Sequence, residues 1–152
     1  MNTHRQDANA NALWTYFKNV IDWAKLIFPK QRHELRSIPW NTLYDKYGQT
    51  LLDAVALEIH VKALMADEEV QKKSGIYTYV LSGEEHALGL RNFSDNQKRE
   101  AYERQAGICP MCNKLYKLEE MDGDHIVSWS KNGKTTSDNC QMLCIRDNRS
   151  NS

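Results

Sequence analysis

All four cysteines of this 152-residue chain, Cys109, Cys112, Cys140 and Cys144, fall in its last third. In a chain expected to stay in the cytoplasm, clustered cysteines point to metal or redox work rather than a disulfide framework. Cys109-Pro110-Met111-Cys112 has the bite of a zinc knuckle, because two thiolates two residues apart can both turn inward on a tight loop. Cys144-Ile145-Arg146-Asp147 repeats that spacing about thirty residues on, and makes Asp147 the fourth ligand. Cys140 competes for the position: on an α-helix, at ~100° per residue, 140, 144 and 147 lie within about 60° of one another. Zinc held by Cys109, Cys112, Cys144 and one of Asp147 or Cys140 is the expectation. Its rival is a set of reduced, buried cysteines acting as small hydrophobes.

Between the two pairs stands Met121-Asp122-Gly123-Asp124-His125-Ile126-Val127-Ser128-Trp129. A histidine that follows a carboxylate and precedes β-branched residues suggests a strand carrying a reactive pair. Asp124 is a hard oxygen ligand for Mg²⁺, and His125 can take a proton near neutral pH. Adjacent residues face opposite ways on an ideal strand, so the pair needs a twist or a strand end. Asn148 directly follows the second ligand pair, so a zinc would hold it near the same place.

The rest of the chain is read as scaffold. Residues 1 to about 9 are polar and expected to fray. Leu13, Trp14, Phe17, Ile21, Ala24 and Ile27/Phe28 recur at helical spacing up to Pro29. Pro39 opens a helix that uses Trp40, Leu43 and Tyr44 and ends at Gly48. A third helix is expected from about Leu51 to Met65 on Leu52, Val55, Ile59 and Leu64. Asp67 is expected to cap a short fourth helix ending at Gly75. Residues 76–81 favour a strand by their β-branched and aromatic content, with a buried helix as the alternative. Ser94-Asp95-Asn96-Gln97 is a capping box for a helix to about Gln105, with Gly107 as its stop. The boundary is placed near residue 93, dividing a helical scaffold, 1–93, from a C-terminal unit, 94–152.

Twenty basic and twenty acidic residues cancel, so bulk charge offers no argument for nucleic-acid binding. At 41% apolar and 26% charged residues the chain can build a core and an ordinary surface. No apolar run approaches the ~18 residues of a membrane span. The polar start has no signal-peptide core, so a cytoplasmic location with no membrane partner is expected. His4, His33, His60 and His86 have no partner at ligand spacing. Lys25, Lys30, Arg32 and Arg36 form a basic stretch, read first as a solvated helix end and second as a phosphate contact.

Cys109-x-x-Cys112, Gly123-Asp124-His125-Ile126, Gly133-Lys134-Thr135-Thr136, Asn139-x-Gln141-x-Leu143-Cys144 and Asn148-Arg149 resemble the HNH endonucleases of the ββα-metal fold. The resemblance covers roughly residues 94 to 149, and order and spacing agree throughout. It implies an α+β chain whose C-terminal part is a zinc-stapled ββα-metal unit. It also implies that Asp124 and Asn148 hold a catalytic Mg²⁺ or Mn²⁺, that His125 is the general base, and that Asn139 fixes the loop orienting it. Four positions depart from the pattern: Asp147 stands for a cysteine, Ser128 for a proline, Asn132 for a glycine and Asn151 for a lysine. More faintly, the chain is similar to the C-terminal halves of modification-dependent restriction proteins.

The expected activity is therefore metal-dependent hydrolysis of double-stranded DNA, within a restriction or defence assembly. Lys131, Lys134 and Arg149 are the candidate phosphate contacts, which position a backbone without reading sequence. A zinc-knuckle binding module without turnover is the alternative, and the nuclease domain of a toxin a third reading.

Overall fold

The computed structural model describes residues 7–151, and side chains from residue 10. His4 and most of the start expected to fray lie outside the described residues. The chain is α+β and divides into two compact units, Met1–Leu90 and Arg91–Ser152. Leu90 bridges to Val70 and so belongs with the first unit, whereas Phe93 lies in the core of the second.

The first unit is helical. Helix α1 spans Asp7–Ile27, three residues longer at its start than periodicity suggests. It buries Val20, Trp23 and Ile27, with Phe28 just beyond, while Leu13, Trp14, Phe17 and Ile21 are exposed. Two apolar stripes at helical spacing coexist on this helix, and the less expected one faces the core. Helix α2, Trp40–Tyr47, follows Pro39 and closes where the Gly48 N–H donates to the Tyr44 carbonyl at 2.7 Å. Helix α3, Ala54–Ala66, begins later than Leu51 because the Asp53 carboxylate caps it, accepting from the N–H groups of Val55 (2.9 Å) and Ala56 (3.2 Å). Its buried stripe is Leu57, Val61 and Leu64, while Val55 and Ile59 are exposed.

Two expectations fail between residues 67 and 82. Asp67 starts no helix: it ends α3, and its side chain accepts from the Glu69 N–H at 2.9 Å in a turn leading to Val70. Residues 76–81 are not a strand but lie in helix α4, Gly75–Ser82. Packing overrides propensity here. Gly75 presses so closely on the Ala87 carbonyl that a Cβ would sit 1.6 Å from its oxygen, and Ile76 and Tyr77 are fully buried. Tyr77 meets Phe28 edge-on (centroids 5.0 Å) and lies near Trp40 (6.2 Å), forming an aromatic core.

The second unit opens with helix α5, Asp95–Arg104, whose capping box is present as read: Ser94 Oγ accepts from Gln97 N–H and Gln97 Oε1 from Ser94 N–H. Gly107, at φ 71°, ends that region in the left-handed conformation glycine favours. Strands β1, Met121–His125, and β2, Cys140–Cys144, pair antiparallel from Met121↔Cys144 to His125↔Cys140. Helix α6, Ile145–Asn151, follows β2 at once and completes a ββα arrangement. The Gln105 amide clamps the free edge of β2, accepting from Met142 N–H (2.6 Å) and donating to its carbonyl (2.9 Å). That replaces the ladder bonds a third strand would make. The Lys98 ammonium of α5 pairs with Asp122 at 2.6 Å and ties the helix to β1.

Candidate functional site

The knuckle is shaped by its backbone. Cys109 N–H donates to the Lys114 carbonyl at 3.0 Å, Asn113 N–H to the Cys109 carbonyl at 2.8 Å, and Asn113 takes φ 58°. This tight loop turns Cys109 and Cys112 toward the junction of β2 and α6. There the donor atoms of Cys109, Cys112, Cys144 and Asp147 all lie within 4.8 Å of one another. Cys109 and Cys144 are buried, Cys112 and Asp147 half-buried. Three sulfurs and one carboxylate in such a knot could hold a metal ion, and the donor chemistry fits zinc.

Electrostatics divide the proton burden unevenly. Hydrogen bonds from Cys144, then Cys112 and Cys109, hold the Asp147 carboxyl down to about 2. Burial works against a Cys109 thiolate, yet N–H groups of Cys112, Cys144 and Met111 outweigh it and lower its pKa. Burial raises Cys144. The Arg146 guanidinium takes one Asp147 oxygen at 3.2 Å, leaving the other 3.4 Å from Cys109 Sγ.

Cys140 is not in this group. The geometry that made it a competitor assumed a helix through 140–147, but 140–144 is a strand. At ~3.3 Å per residue, four strand residues separate Cys140 from Cys144 by about 13 Å. Cys140 is fully buried in the core, and burial raises its thiol, as befits a small hydrophobe.

The second cluster sits at the end of β1. Asp124 faces Gln141 in register, and its Oδ2 accepts from Gln141 Nε2 (3.0 Å) and from Asn151 Nδ2 of α6 (2.9 Å). His125, the last residue of β1, turns elsewhere: its ring packs against Phe93 at a tilt of 41° (centroids 4.3 Å) and its Nε2 lies 3.0 Å from Thr135 Oγ1. The strand end thus gives the adjacent pair two different sets of neighbours. Thr135 is buried and its hydroxyl donates to the Arg91 carbonyl at 3.2 Å. When that proton goes to Arg91, the hydroxyl accepts from His125 Nε2–H, the tautomer that puts the ring's lone pair on Nδ1.

The loop between the strands is pinned by Asn139. Its Oδ1 accepts from Val127 N–H (2.8 Å), and its Nδ2 donates to the carbonyls of Val127 (2.9 Å) and Lys134 (2.8 Å). Gly133 is sterically required, since a Cβ would lie 1.7 Å from the Val127 oxygen. The unusual residues on this loop keep its shape. Asn132 takes the left-handed φ of 66°, which asparagine tolerates, and Ser128 has φ −63°, the value proline would impose.

Asn148 lies half-buried on α6, three residues before Asn151 and engaged by its surroundings. Sequence reasoning assigned Asn148 and passed over Asn151 and Gln141, which donate directly to Asp124. The register of β1 and β2 would have placed Gln141 opposite Asp124, and i,i+3 spacing on α6 would have placed Asn151 with Asn148. Lys131, Lys134 and Arg149 are exposed.

Residues 109–152 match the family model of the HNH endonuclease, the family whose motifs the chain resembles. No curated protein and no solved structure matches the chain. Endonucleases of this family act on DNA and use divalent metals, and the match supports a nuclease-type function for the second unit. No helix among the described residues is long and apolar enough to cross a membrane.

Proposed function

We propose that the chain is a metal-dependent DNA endonuclease whose second unit hydrolyses phosphodiester bonds. The observation that carries this reading is the divided strand end: Asp124 held on one oxygen by Gln141 and Asn151, and beside it His125 held at Nε2 by Thr135. His125 Nδ1 takes a proton from the attacking water. Gln141 and Asn151 occupy Asp124 Oδ2, so Asp124 would hold a divalent ion through Oδ1, with Asn148 as the second residue that would hold it. These hard oxygen donors suit Mg²⁺ or Mn²⁺. Bound there, the ion would supply charge stabilisation to the phosphate and the leaving 3′ oxygen. Cys109, Cys112, Cys144 and Asp147 are the zinc set, with a structural role. Lys131, Lys134 and Arg149 hold the phosphate backbone. Restriction or defence against double-stranded DNA in the cytoplasm, within a larger assembly, is the setting the motif resemblance supports.

The test is nicking of supercoiled plasmid by the full chain with Mg²⁺ or Mn²⁺ against a chelator control. Nicking with either ion, absent with the chelator, is expected. Asn148→Ala should weaken it and recover in part at higher metal concentration, since the Asp124 carboxylate remains. DNA binding without cleavage under all conditions would leave a zinc-knuckle binding module instead.

A further inference from the structure

The first unit contains a cavity of about 500 Å³ that the nuclease reading does not use. It lies between the end of α1, the 33–37 turn and the start of α2. Its aromatic wall is the half-buried Trp40, backed by the fully buried Phe28 (centroids 5.8 Å). The Trp40 indole N–H is spent on the Leu35 carbonyl at 3.0 Å, so what the ring offers the cavity is hydrocarbon. Lys25, Arg32 and Arg36 also line it, and no carboxylate does.

These cations differ in what they have left to give. Arg32 is bound in a two-point ion pair by Glu58 (Nη1 to Oε2 3.0 Å), and its charge is answered. Lys25 and Arg36 have no ion-pair or side-chain hydrogen-bond partner among the described residues. The cavity therefore presents two unanswered positive charges beside an aromatic wall. A phosphate monoester carries close to two negative charges, and a purine or pyrimidine is the flat body such a wall stacks. The volume suits one nucleotide and falls in the range of small-ligand sites.

We propose that this cavity binds a single nucleotide, its base against Trp40 and its phosphate between Lys25 and Arg36. The ligand is a free nucleoside monophosphate or one nucleotide of a single strand, since both present the same chemistry. The assignment rests on the first unit alone and holds whether or not the second unit cleaves DNA.

The experiment titrates the full chain, without divalent metal, with adenosine 5′-monophosphate, adenosine, inorganic phosphate, laurate and a short oligodeoxyadenylate, read by calorimetry and tryptophan fluorescence. Saturable binding of the monophosphate is expected, at least about tenfold tighter than adenosine or inorganic phosphate. Lys25→Gln and Arg36→Gln should each weaken it by about threefold to tenfold. Both residues are exposed and unpaired, so the variants should keep the parent circular dichroism. Tighter binding of the oligonucleotide would identify a strand as the source, and equal or weaker binding a free nucleotide. The proposal is overturned if the monophosphate does not saturate, if laurate binds more tightly, or if both charge variants bind it like the parent.

Discussion

The first unit has helices with an aromatic core, in which Phe28, Trp40 and Tyr77 pack ring against ring among buried aliphatic residues that include Val61, Ile76 and Leu88. The second unit has two five-residue strands, and three of its eight buried core residues are cysteines. An isolated two-stranded hairpin is marginal in water, so this sheet needs help from α5 and from the knuckle. The contrast shows where site geometry comes from. Hydrophobic burial organises the first unit diffusely, whereas the second is held by point contacts: Gln105 on Met142, Lys98 on Asp122, and the Cys109/Cys112/Cys144/Asp147 knot. Such contacts leave the end of β1 free to display Asp124 and His125.

Metal removal should separate the units most sharply. Structural zinc contributes on the order of 10 kcal/mol to small metal-dependent folds. Chelation or Cys112→Ser should abolish amide-exchange protection across 109–151 and leave 54–82 protected, as read by mass spectrometry. Equal loss in both units would break the comparison.

The converse experiment is Phe28→Ala. Truncating a buried phenylalanine costs about 3–5 kcal/mol. Protection should fall within the first unit, while zinc content and exchange across 109–151 stay at parent values.

Asp147→Cys sharpens the assignment of the knot. A thiolate is a softer partner for zinc than a carboxylate, so zinc affinity and the second unit's melting temperature should rise. Cys140→Ser, four strand residues from Cys144, should retain the metal. Metal release from Cys140→Ser with an indifferent Asp147→Cys would reverse the assignment.

The smallest effect concerns pH. Burial disfavours the charged form of Asp122, but the Lys98 ammonium and the Gly123 N–H outweigh it and lower its pKa below the unfolded value. Its contribution is complete above that unfolded value, near 4, and is lost as pH falls through the lower folded one. Because the side chain is 51% exposed, solvent screening leaves a few tenths of a kcal/mol, about 1 at most. The melting temperature of Asp122→Asn should lie slightly below the parent at pH 6 and converge with it toward pH 3.

Local signals were the legible ones. The Ser94 capping box and the Pro39 and Gly48 punctuation act within a few residues and appear as read, and the Cys-x-x-Cys pair lies with Cys144 and Asp147 in one knot of donor atoms. What depended on tertiary context was hidden. Leu13, Phe17 and Ile21 and the pair Val20 and Trp23 are equally good helical stripes, and only the neighbouring helices choose between them. Tyr77 to Leu81 has a strand's composition, yet packing of Gly75 on Ala87 makes it helix. At the site, the Asp-His motif was visible, but Asn151 and Thr135 were not. Their roles come from side chains 27 and 10 residues away meeting Asp124 and His125.

In the proposed reaction His125 performs chemistry on a unit held mainly by the knuckle and by α5, and His125→Ala tests this most directly. Zinc content, melting temperature and plasmid nicking are measured on one preparation of the variant beside the parent. One zinc per chain, a cooperative melting curve lowered only by the lost Phe93 contact and Thr135 hydrogen bond, and a cleavage rate lower by ~10²–10⁴ are predicted. Cleavage at the parent rate, or loss of zinc and fold together with activity, would contradict it.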